Sequence, residues 1–196
     1  GQIMPVSLAW ILALIARLLV TGCLHEDGLA DFFDGFGGGT TRERTLAIMK
    51  DSHIGSYGVI GLICYFLLLL QLHHLPLGLL CILVLSGDCW SKFCASQIVN
   101  YLPYARPEAE SKAKVVYSGM NRGELITAFV SGILPLLFLL PLRLWPATVV
   151  PMFVCLLLCR FLKKKLQGYT GDCCGAMFLL CEISFYLCAV ILWKLL

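Results

Sequence analysis

Three aspartates share one face of a predicted helix near the start of the chain. The stretch 25–35 contains Asp27, Asp31 and Asp34. Because each helical residue turns the chain by about 100°, these carboxylates fall within an arc of roughly 60°. Like charges at this spacing repel one another, and no Lys or Arg occurs within 18–41. The face therefore needs a counter-charge, which a divalent cation would supply.

The donor atoms indicate which cation this would be. Carboxylate oxygens are hard ligands, and they suit Mg²⁺ or Mn²⁺ better than zinc. The alternative is a solvated acidic helix end at the membrane surface. However, the intervening residues Leu29, Ala30 and Phe32 are apolar, which indicates that the other faces of the helix are buried. The residues therefore favour a metal site over a solvated helix end.

Two further features flank this acidic helix in the predicted site. Gly37, Gly38 and Gly39 follow it, and such a glycine run either presents backbone amides to a phosphate oxygen or ends the helix. Asp172 precedes the last apolar stretch, where a carboxylate either caps the helix or completes a metal shell. The residues alone leave both pairs of alternatives open.

The composition indicates which elements must hold these side chains. Of the 196 residues, 59% are hydrophobic and 14% are charged, against about 45–50% and about 25% in soluble domains. That excludes an ordinary soluble enzyme and a basic nucleic-acid-binding domain, so we expect no nucleic-acid partner. We predict an all-α fold, a multi-pass integral membrane helical bundle with about six transmembrane helices, as one domain over 1–196 in a lipid bilayer. The predicted spans are roughly 3–22, 57–72, 76–100, 124–141, 145–162 and 176–195.

Basic residues predict how the bundle is oriented. Polar loops are predicted at about 23–56, 101–123 and 163–175. These loops contain ten basic residues, namely Arg42, Arg44, Lys50, Arg106, Lys112, Lys114, Arg122, Lys163, Lys164 and Lys165. The opposite side has only Arg143 and Lys194. Because cytoplasmic loops are enriched in Lys and Arg, we place the three polar loops in the cytoplasm.

Several motifs together resemble the cobalamin synthase (adenosylcobinamide-GDP ribazoletransferase) family. In chain order they are His25–Asp31, Asp34-Gly35, Gly37–Gly39, Ile48–Ser52, Ile54-Gly55, Tyr57-Gly58, Tyr104–Pro107 and Gly168–Asp172. The resemblance extends from about Thr21 to Ala176 and keeps the order and spacing of the motifs. Members of that family usually carry a further hydrophobic N-terminal region, so we expect this chain to lack a native N-terminal segment.

The resemblance implies a reaction, a cofactor and a location. The reaction is the last step of nucleotide-loop assembly in vitamin B12 biosynthesis. Adenosylcobinamide-GDP and α-ribazole, or its 5′-phosphate, are joined to give adenosylcobalamin, or its 5′-phosphate, and GMP. The family depends on Mg²⁺ and lies in the bacterial cytoplasmic (inner) membrane. The oligomeric state stays open, and a homo-oligomer is compatible with the sequence.

The acidic face and the resemblance together give residue assignments. The predicted metal ligands are Glu26, Asp27, Asp31, Asp34 and Asp172. The predicted catalytic residues are Asp34, Asp31 and His25, with Asp34 favoured as acceptor of the ribazole hydroxyl proton. The predicted substrate-binding residues are Gly37, Gly38, Gly39, Lys50, Arg106, Arg122 and Thr170.

Two other functions are weighed against this hypothesis. A CDP-alcohol phosphotransferase of phospholipid synthesis also uses an Asp- and Gly-rich membrane helix, but it requires Arg where Asp31 follows Ala30. An ion-coupled transporter would use Asp88, Lys92 and Glu182 in the middle of the membrane. Asp88 and Lys92 are spaced to pair with each other, and the densest acidic cluster lies elsewhere. The sequence therefore favours the transferase.

Overall fold

A computed structural model describes residues 3–106 and 119–195 of the chain. The α-helices, in chain order, are α1 (Val6–Thr21), α2 (Leu24–Gly38), α3 (Arg42–Lys50), α4 (Ser56–Leu70), α5 (Leu77–Ser96), α6 (Ile98–Tyr101), α7 (Arg122–Leu139), α8 (Val149–Lys165) and α9 (Gly171–Leu195). Two 3₁₀ segments, Gln71–His74 and Leu142–Thr148, precede α5 and α8. The described ranges contain no β-strand, only an isolated bridge between Tyr104 and Tyr169. The prediction of an all-α fold is confirmed.

Five helical segments are long and apolar enough to cross a membrane. They are Ser56–His74, Leu77–Tyr101, Arg122–Leu139, Leu142–Lys165 and Gly171–Leu195. These segments correspond to the last five of the six predicted spans. Helices α1 and α2 pass the same test only as a pair, and their axes meet at 87°. The prediction of a multi-pass helical bundle with about six transmembrane helices is confirmed.

The chain breaks sharply between α1 and α2. Helix α1 ends at Thr21, and both Gly22 and Cys23 have a left-handed backbone, with φ values of 62° and 57°. Two consecutive left-handed residues cannot continue a right-handed helix. The acidic stretch therefore forms a helix separate from α1. Since 24–38 forms a helix of its own, its three aspartates share one face as predicted.

Helix α9 lies at the centre of the bundle. It packs against α2, α5 and α8, and most of its side chains are buried. Glycine lets its first turns approach α2 closely, because a side-chain carbon at Gly175 would lie 3.1 Å from the carbonyl oxygen of His25. Close contact through small residues is a main source of helix association in lipid. Helix α9 therefore fixes the position of α2.

The first predicted loop, 23–56, is mostly helical. It contains α2 and α3, so its polar residues are held on two packed helices rather than on a loop. The second of these helices, α3, covers Arg42–Lys50. The hydroxyl of Thr41 caps it by accepting a hydrogen bond from the backbone N–H of Arg44 at 3.2 Å.

The other two predicted loops differ in how much of them is described. The loop 163–175 is shorter than expected, because α8 continues to Lys165 and α9 begins at Gly171. Most of the loop 101–123 lies outside the described residues, and so do its members Pro107, Lys112 and Lys114.

Candidate active site

The three aspartates of α2 differ in their exposure. Asp27 is exposed, Asp31 is half-buried and Asp34 is buried. The exposure falls along the helix because α2 enters a contact with α3 and α4 towards its C-terminal end. The acidic face therefore has one carboxylate open to ligands and one enclosed by protein.

Asp34 holds the start of α4. One oxygen of its carboxylate accepts a hydrogen bond from the N–H of Gly55 at 2.7 Å, and the other accepts from the N–H of Gly58 at 2.8 Å. These N–H groups belong to the first turn of α4, where backbone donors have no partner within the helix. Asp34 thus has a structural function that its sequence position did not reveal. Its predicted roles as proton acceptor and metal ligand stay predictions.

Glu26 is a buried carboxylate that is only partly neutralised. Its Oε1 lies 3.9 Å from Nη2 of Arg17, while its Oε2 is buried and has no hydrogen-bond partner. A buried polar atom without a partner costs about 1–3 kcal/mol. An oxygen in this state is available to a ligand that reaches the first turn of α2.

Asp172 is brought against α2 by direct backbone contact. A side-chain carbon at Gly28 would lie 2.9 Å from the carbonyl oxygen of Asp172. The hydroxyl of Thr170 accepts from the N–H of Cys173 at 3.3 Å, and it lies 3.2 Å from Oδ2 of Asp172. Thr170 therefore provides a cap at the N-terminus of α9, and Asp172 lies in its buried first turn, close to the acidic helix.

Two arginines form hydrogen bonds between α3 and the segments that precede Pro107 and Gly171. The buried Arg106 donates to the carbonyl of Leu46 at 3.1 Å, and its Nη2 lies 3.9 Å from Oδ2 of Asp172. Arg42 donates to the carbonyls of Leu166 and Ala105, both at 2.7 Å. Arg106 is thus placed next to a predicted metal ligand. From the sequence, Arg42 was expected only to help set the orientation of the bundle in the membrane. Its hydrogen bonds also connect α3 to Leu166 and to Ala105.

The remaining predicted polar residues are spread over the bundle. Lys50 is exposed at the end of α3. Arg122 begins α7, whose main packing partner is α5, so the structure does not group it with the acidic face. The His25 ring packs edge-on against Phe178 of α9, with 4.8 Å between ring centroids. The functions predicted for Lys50, Arg122 and His25 stay predictions.

The glycine run belongs to a helix end rather than to a phosphate loop. Helix α2 continues to Gly38, and the N–H of Gly39 bonds to the carbonyl of Gly35 at 2.9 Å. The end of a helix presents carbonyls rather than amides. A side chain at Gly37 would overlap the ring of Tyr57, so glycine is needed here for packing. Of the two alternatives left open by the sequence, the structure therefore shows the helix end, while substrate contacts of Gly37, Gly38 and Gly39 stay predictions.

A buried polar network joins α1, α4 and α9. Arg17 donates to both oxygens of Glu182 at distances of 2.8–3.1 Å. Tyr65 and Tyr186 also donate to this carboxylate, at 3.0 and 2.9 Å. In the sequence, the only indication of this network was the presence of ionisable residues in apolar stretches, and the pairing of Arg17 with Glu182 could not be inferred.

The ion pair expected between Asp88 and Lys92 is confirmed, with 2.7 Å between Lys92 Nζ and Asp88 Oδ2.

A cleft of about 240 Å³ opens beside Asp34, where α2, α3 and α4 meet. Arg44, Asp51, His53 and Tyr57 are among the residues that line it. His53 Nδ1 lies 2.6 Å from Asp51 Oδ1, and the backbone N–H of His53 donates to the same oxygen at 3.1 Å. These hydrogen bonds from His53 lower the pKa of the Asp51 carboxyl.

The fit of a metal ion can be judged from the donor atoms. Within 3–106 and 119–195, no three His, Cys, Asp or Glu side chains are grouped closely enough to hold one. The predicted ligands are nevertheless all carboxylates, and they include the buried, unpartnered Oε2 of Glu26. The backbone of Asp172 contacts α2 at Gly28. This donor set suits a hard divalent cation such as Mg²⁺.

Comparison with known proteins points to one family. A sequence model described as cobalamin-5-phosphate synthase matches residues 1–190. An adenosylcobinamide-GDP ribazoletransferase of Shewanella amazonensis is 41% identical over 199 residues, covering 98% of this chain and 76% of the relative. Proteins with the same name from Shewanella frigidimarina and Vibrio parahaemolyticus are 40% and 38% identical. The match to the S. frigidimarina protein covers 94% of this chain and 72% of the relative, and the match to the V. parahaemolyticus protein covers 98% and 73%.

No solved structure matches the chain. The family match over nearly the whole sequence confirms the resemblance drawn from the motifs and favours a transferase over the phospholipid enzyme and the transporter. The chain belongs to the cobalamin-5-phosphate synthase family, transferases that complete the nucleotide loop in cobalamin biosynthesis.

Proposed function

We propose that this chain joins adenosylcobinamide-GDP to α-ribazole, or to its 5′-phosphate, in a Mg²⁺-dependent reaction that releases GMP. The names of the relatives and the family match support the reaction. The observation that carries the site assignment is the contact between Gly28 and Asp172. That contact brings the first turn of α9, which carries Asp172, against α2 next to Asp27.

The reaction forms one phosphorus–oxygen bond and breaks another. A ribose hydroxyl oxygen of the ribazole substrate attacks the phosphorus that carries cobinamide. The bond from that phosphorus to the phosphate of GMP breaks, and GMP leaves with the bonding electrons. The hydroxyl proton goes to a carboxylate of the protein. The product is adenosylcobalamin, or its 5′-phosphate when the substrate carried one.

We assign the proton-accepting role to Asp31. Both oxygens of Asp34 accept backbone N–H groups of α4, so this carboxylate is needed to hold that helix. Asp31 lies one turn earlier on the same face and is half-buried. The general requirement is a base within hydrogen-bond reach of the hydroxyl that it deprotonates.

Mg²⁺ would be held by carboxylates of α2 and α9. The candidates are Glu26, Asp27, Asp31, Asp34 and Asp172. When bound, the ion would neutralise phosphate oxygens as charge moves to the leaving GMP. Arg106 contributes a guanidinium beside Asp172, and we assign it to the diphosphate because a guanidinium can pair with phosphate oxygens.

The location follows from the distribution of charge. Arg42, Arg106 and Lys163–Lys165 lie at the same end of the bundle as α3, and that excess of basic residues supports a cytoplasmic active site. The proposed membrane is the bacterial inner membrane, where the nucleotide substrate is accessible from the cytoplasm.

The test is a product assay with purified protein in nanodiscs. Adenosylcobinamide-GDP and α-ribazole are supplied with Mg²⁺, and cobalamin and GMP are measured by liquid chromatography and mass spectrometry. We expect both products in equal amounts, and neither when one substrate is omitted. Release of CMP from a CDP-alcohol, or solute flux without nucleotide turnover, would contradict the proposal. The control variant Glu43→Gln changes an exposed side chain on α3 and should give the same products as the wild type.

A further inference from the structure

The cleft beside Asp34 has a lining of mixed charge. Arg44 and His53 can donate hydrogen bonds to an anion, whereas Asp34 and Asp51 can accept them from hydroxyl groups. Tyr57 adds an exposed aromatic ring. The cleft thus brings cationic donors, anionic acceptors and an aromatic surface together at the junction of α2, α3 and α4.

The cationic side of the cleft comes from α3 and from the segment that follows it. Arg44 lies on the first turn of α3, which begins at the capping residue Thr41. The ring of His53 is fixed through Nδ1 by Asp51, so Nε2 is the ring nitrogen left to meet a ligand. The first turn of α4 lies on the same cleft, but its N–H groups at Gly55 and Gly58 already donate to Asp34, so Arg44 and His53 are the donors that the cleft offers to an anion.

The presence of both positive and negative side chains in the cleft limits which ligands can bind there. A simple anion would meet two carboxylates, and a bare metal ion would meet Arg44. A ribose phosphate satisfies both kinds of group, because its phosphate accepts hydrogen bonds and its hydroxyls donate them. The volume of about 240 Å³ suits part of a nucleotide rather than a whole cobinamide conjugate.

We propose that this cleft binds the ribose phosphate of a nucleoside monophosphate, with Arg44 and His53 on the phosphate and Tyr57 beside the base. The inference rests on the proposed function, and it assigns the cleft to the ribazole 5′-phosphate rather than to the GDP-bearing substrate. A 5′-phosphate blocks the 5′ oxygen, so the attacking group is another hydroxyl of the ribose. The cleft adjoins the acidic face of α2 through Asp34, which places that hydroxyl towards the carboxylates.

The test compares two forms of one substrate in wild type and in Arg44→Gln. Steady-state GMP release is measured in nanodiscs with α-ribazole and with its 5′-phosphate. We expect Arg44→Gln to lower the ratio of kcat/KM for the phosphate to kcat/KM for the free nucleoside by about 10-fold or more, as for loss of a charge-assisted hydrogen bond. His53→Gln should change the ratio in the same direction. Arg160→Gln, an exposed change on α8 away from the cleft, is the matched control.

A second readout uses ribose 5-phosphate as a probe. It should inhibit wild type competitively against ribazole 5′-phosphate, and Arg44→Gln should raise its inhibition constant. A rise in the KM of adenosylcobinamide-GDP with no change in the substrate ratio would assign the cleft to the diphosphate and overturn the proposal. An unchanged ratio together with unchanged inhibition would also overturn it. A wild type without any GMP release would instead refute the proposed function.

Discussion

The backbones of Gly28 and Asp172 are in direct contact, 144 positions apart in the chain. A side-chain carbon at residue 28 would lie 2.9 Å from the carbonyl oxygen of Asp172 and 3.1 Å from its Cα. No side chain other than hydrogen fits there without moving one of the two helices. The contact joins the acidic helix α2 to the first turn of α9, where Asp172 lies.

Gly28→Ala should therefore separate α2 from α9. We expect the free energy of unfolding to fall by about 1–3 kcal/mol, as for overpacking of a close interface, and GMP release to fall with it. Thermal unfolding in detergent and the product assay measure the two effects. Gly78→Ala is the matched control, because a side-chain carbon at that position meets no atom within 4 Å. Equal unfolding temperatures and equal GMP release in Gly28→Ala and Gly78→Ala would contradict the proposed effect of this contact.

Asp34→Asn should lower stability as well as activity. Asparagine has a single side-chain oxygen, so the N–H of Gly55 or Gly58 would lose its acceptor and face an amide donor instead. We expect a loss of about 1–3 kcal/mol in the free energy of unfolding. Asp27→Asn changes an exposed carboxylate and should alter stability by no more than about 0.5 kcal/mol. If Asp34→Asn unfolds at the wild-type temperature, Asp34 does not hold α4 as described.

The pair of Arg17 and Glu182 should behave as a coupled unit. Arg17→Met would leave the fully buried Glu182 carboxylate with hydroxyl donors only, and we expect a loss of about 3–5 kcal/mol in the free energy of unfolding. Adding Glu182→Gln should recover much of it, since no buried charge then remains. Lys92→Met removes a more exposed pair and should cost about 0–1 kcal/mol. Purely additive losses in the double variant would refute the coupling.

Local patterns explain the parts of the fold that the sequence predicted well. The spans over α4 to α9 follow from apolar length, and the Asp88–Lys92 pair follows from helical spacing. The shared face of the α2 aspartates needs only helical periodicity. Each of these features depends on residues that are close together in the chain.

The features that were missed depend on distant parts of the chain. Arg17 and Glu182 are 165 residues apart, and nothing local indicates that they pair. Asp34 caps a helix that begins 22 positions later, so its structural role appears only when α2 meets α4. The break after α1 needs a left-handed Cys23, a conformation that its side chain does not favour. The glycine run was open between two interpretations until packing against Tyr57 decided for a helix end.

We propose that carboxylates of α2 hold Mg²⁺ for phosphoryl transfer. The most direct test measures GMP release from adenosylcobinamide-GDP and α-ribazole in nanodiscs as Mg²⁺ is varied, for wild type, Asp27→Asn and Asp31→Asn. We predict no release after chelation, recovery with added Mg²⁺, and a kcat at least about 100-fold lower or a much higher Mg²⁺ requirement in both variants. Full turnover by wild type in chelator, or unchanged Mg²⁺ dependence in both variants, would contradict it.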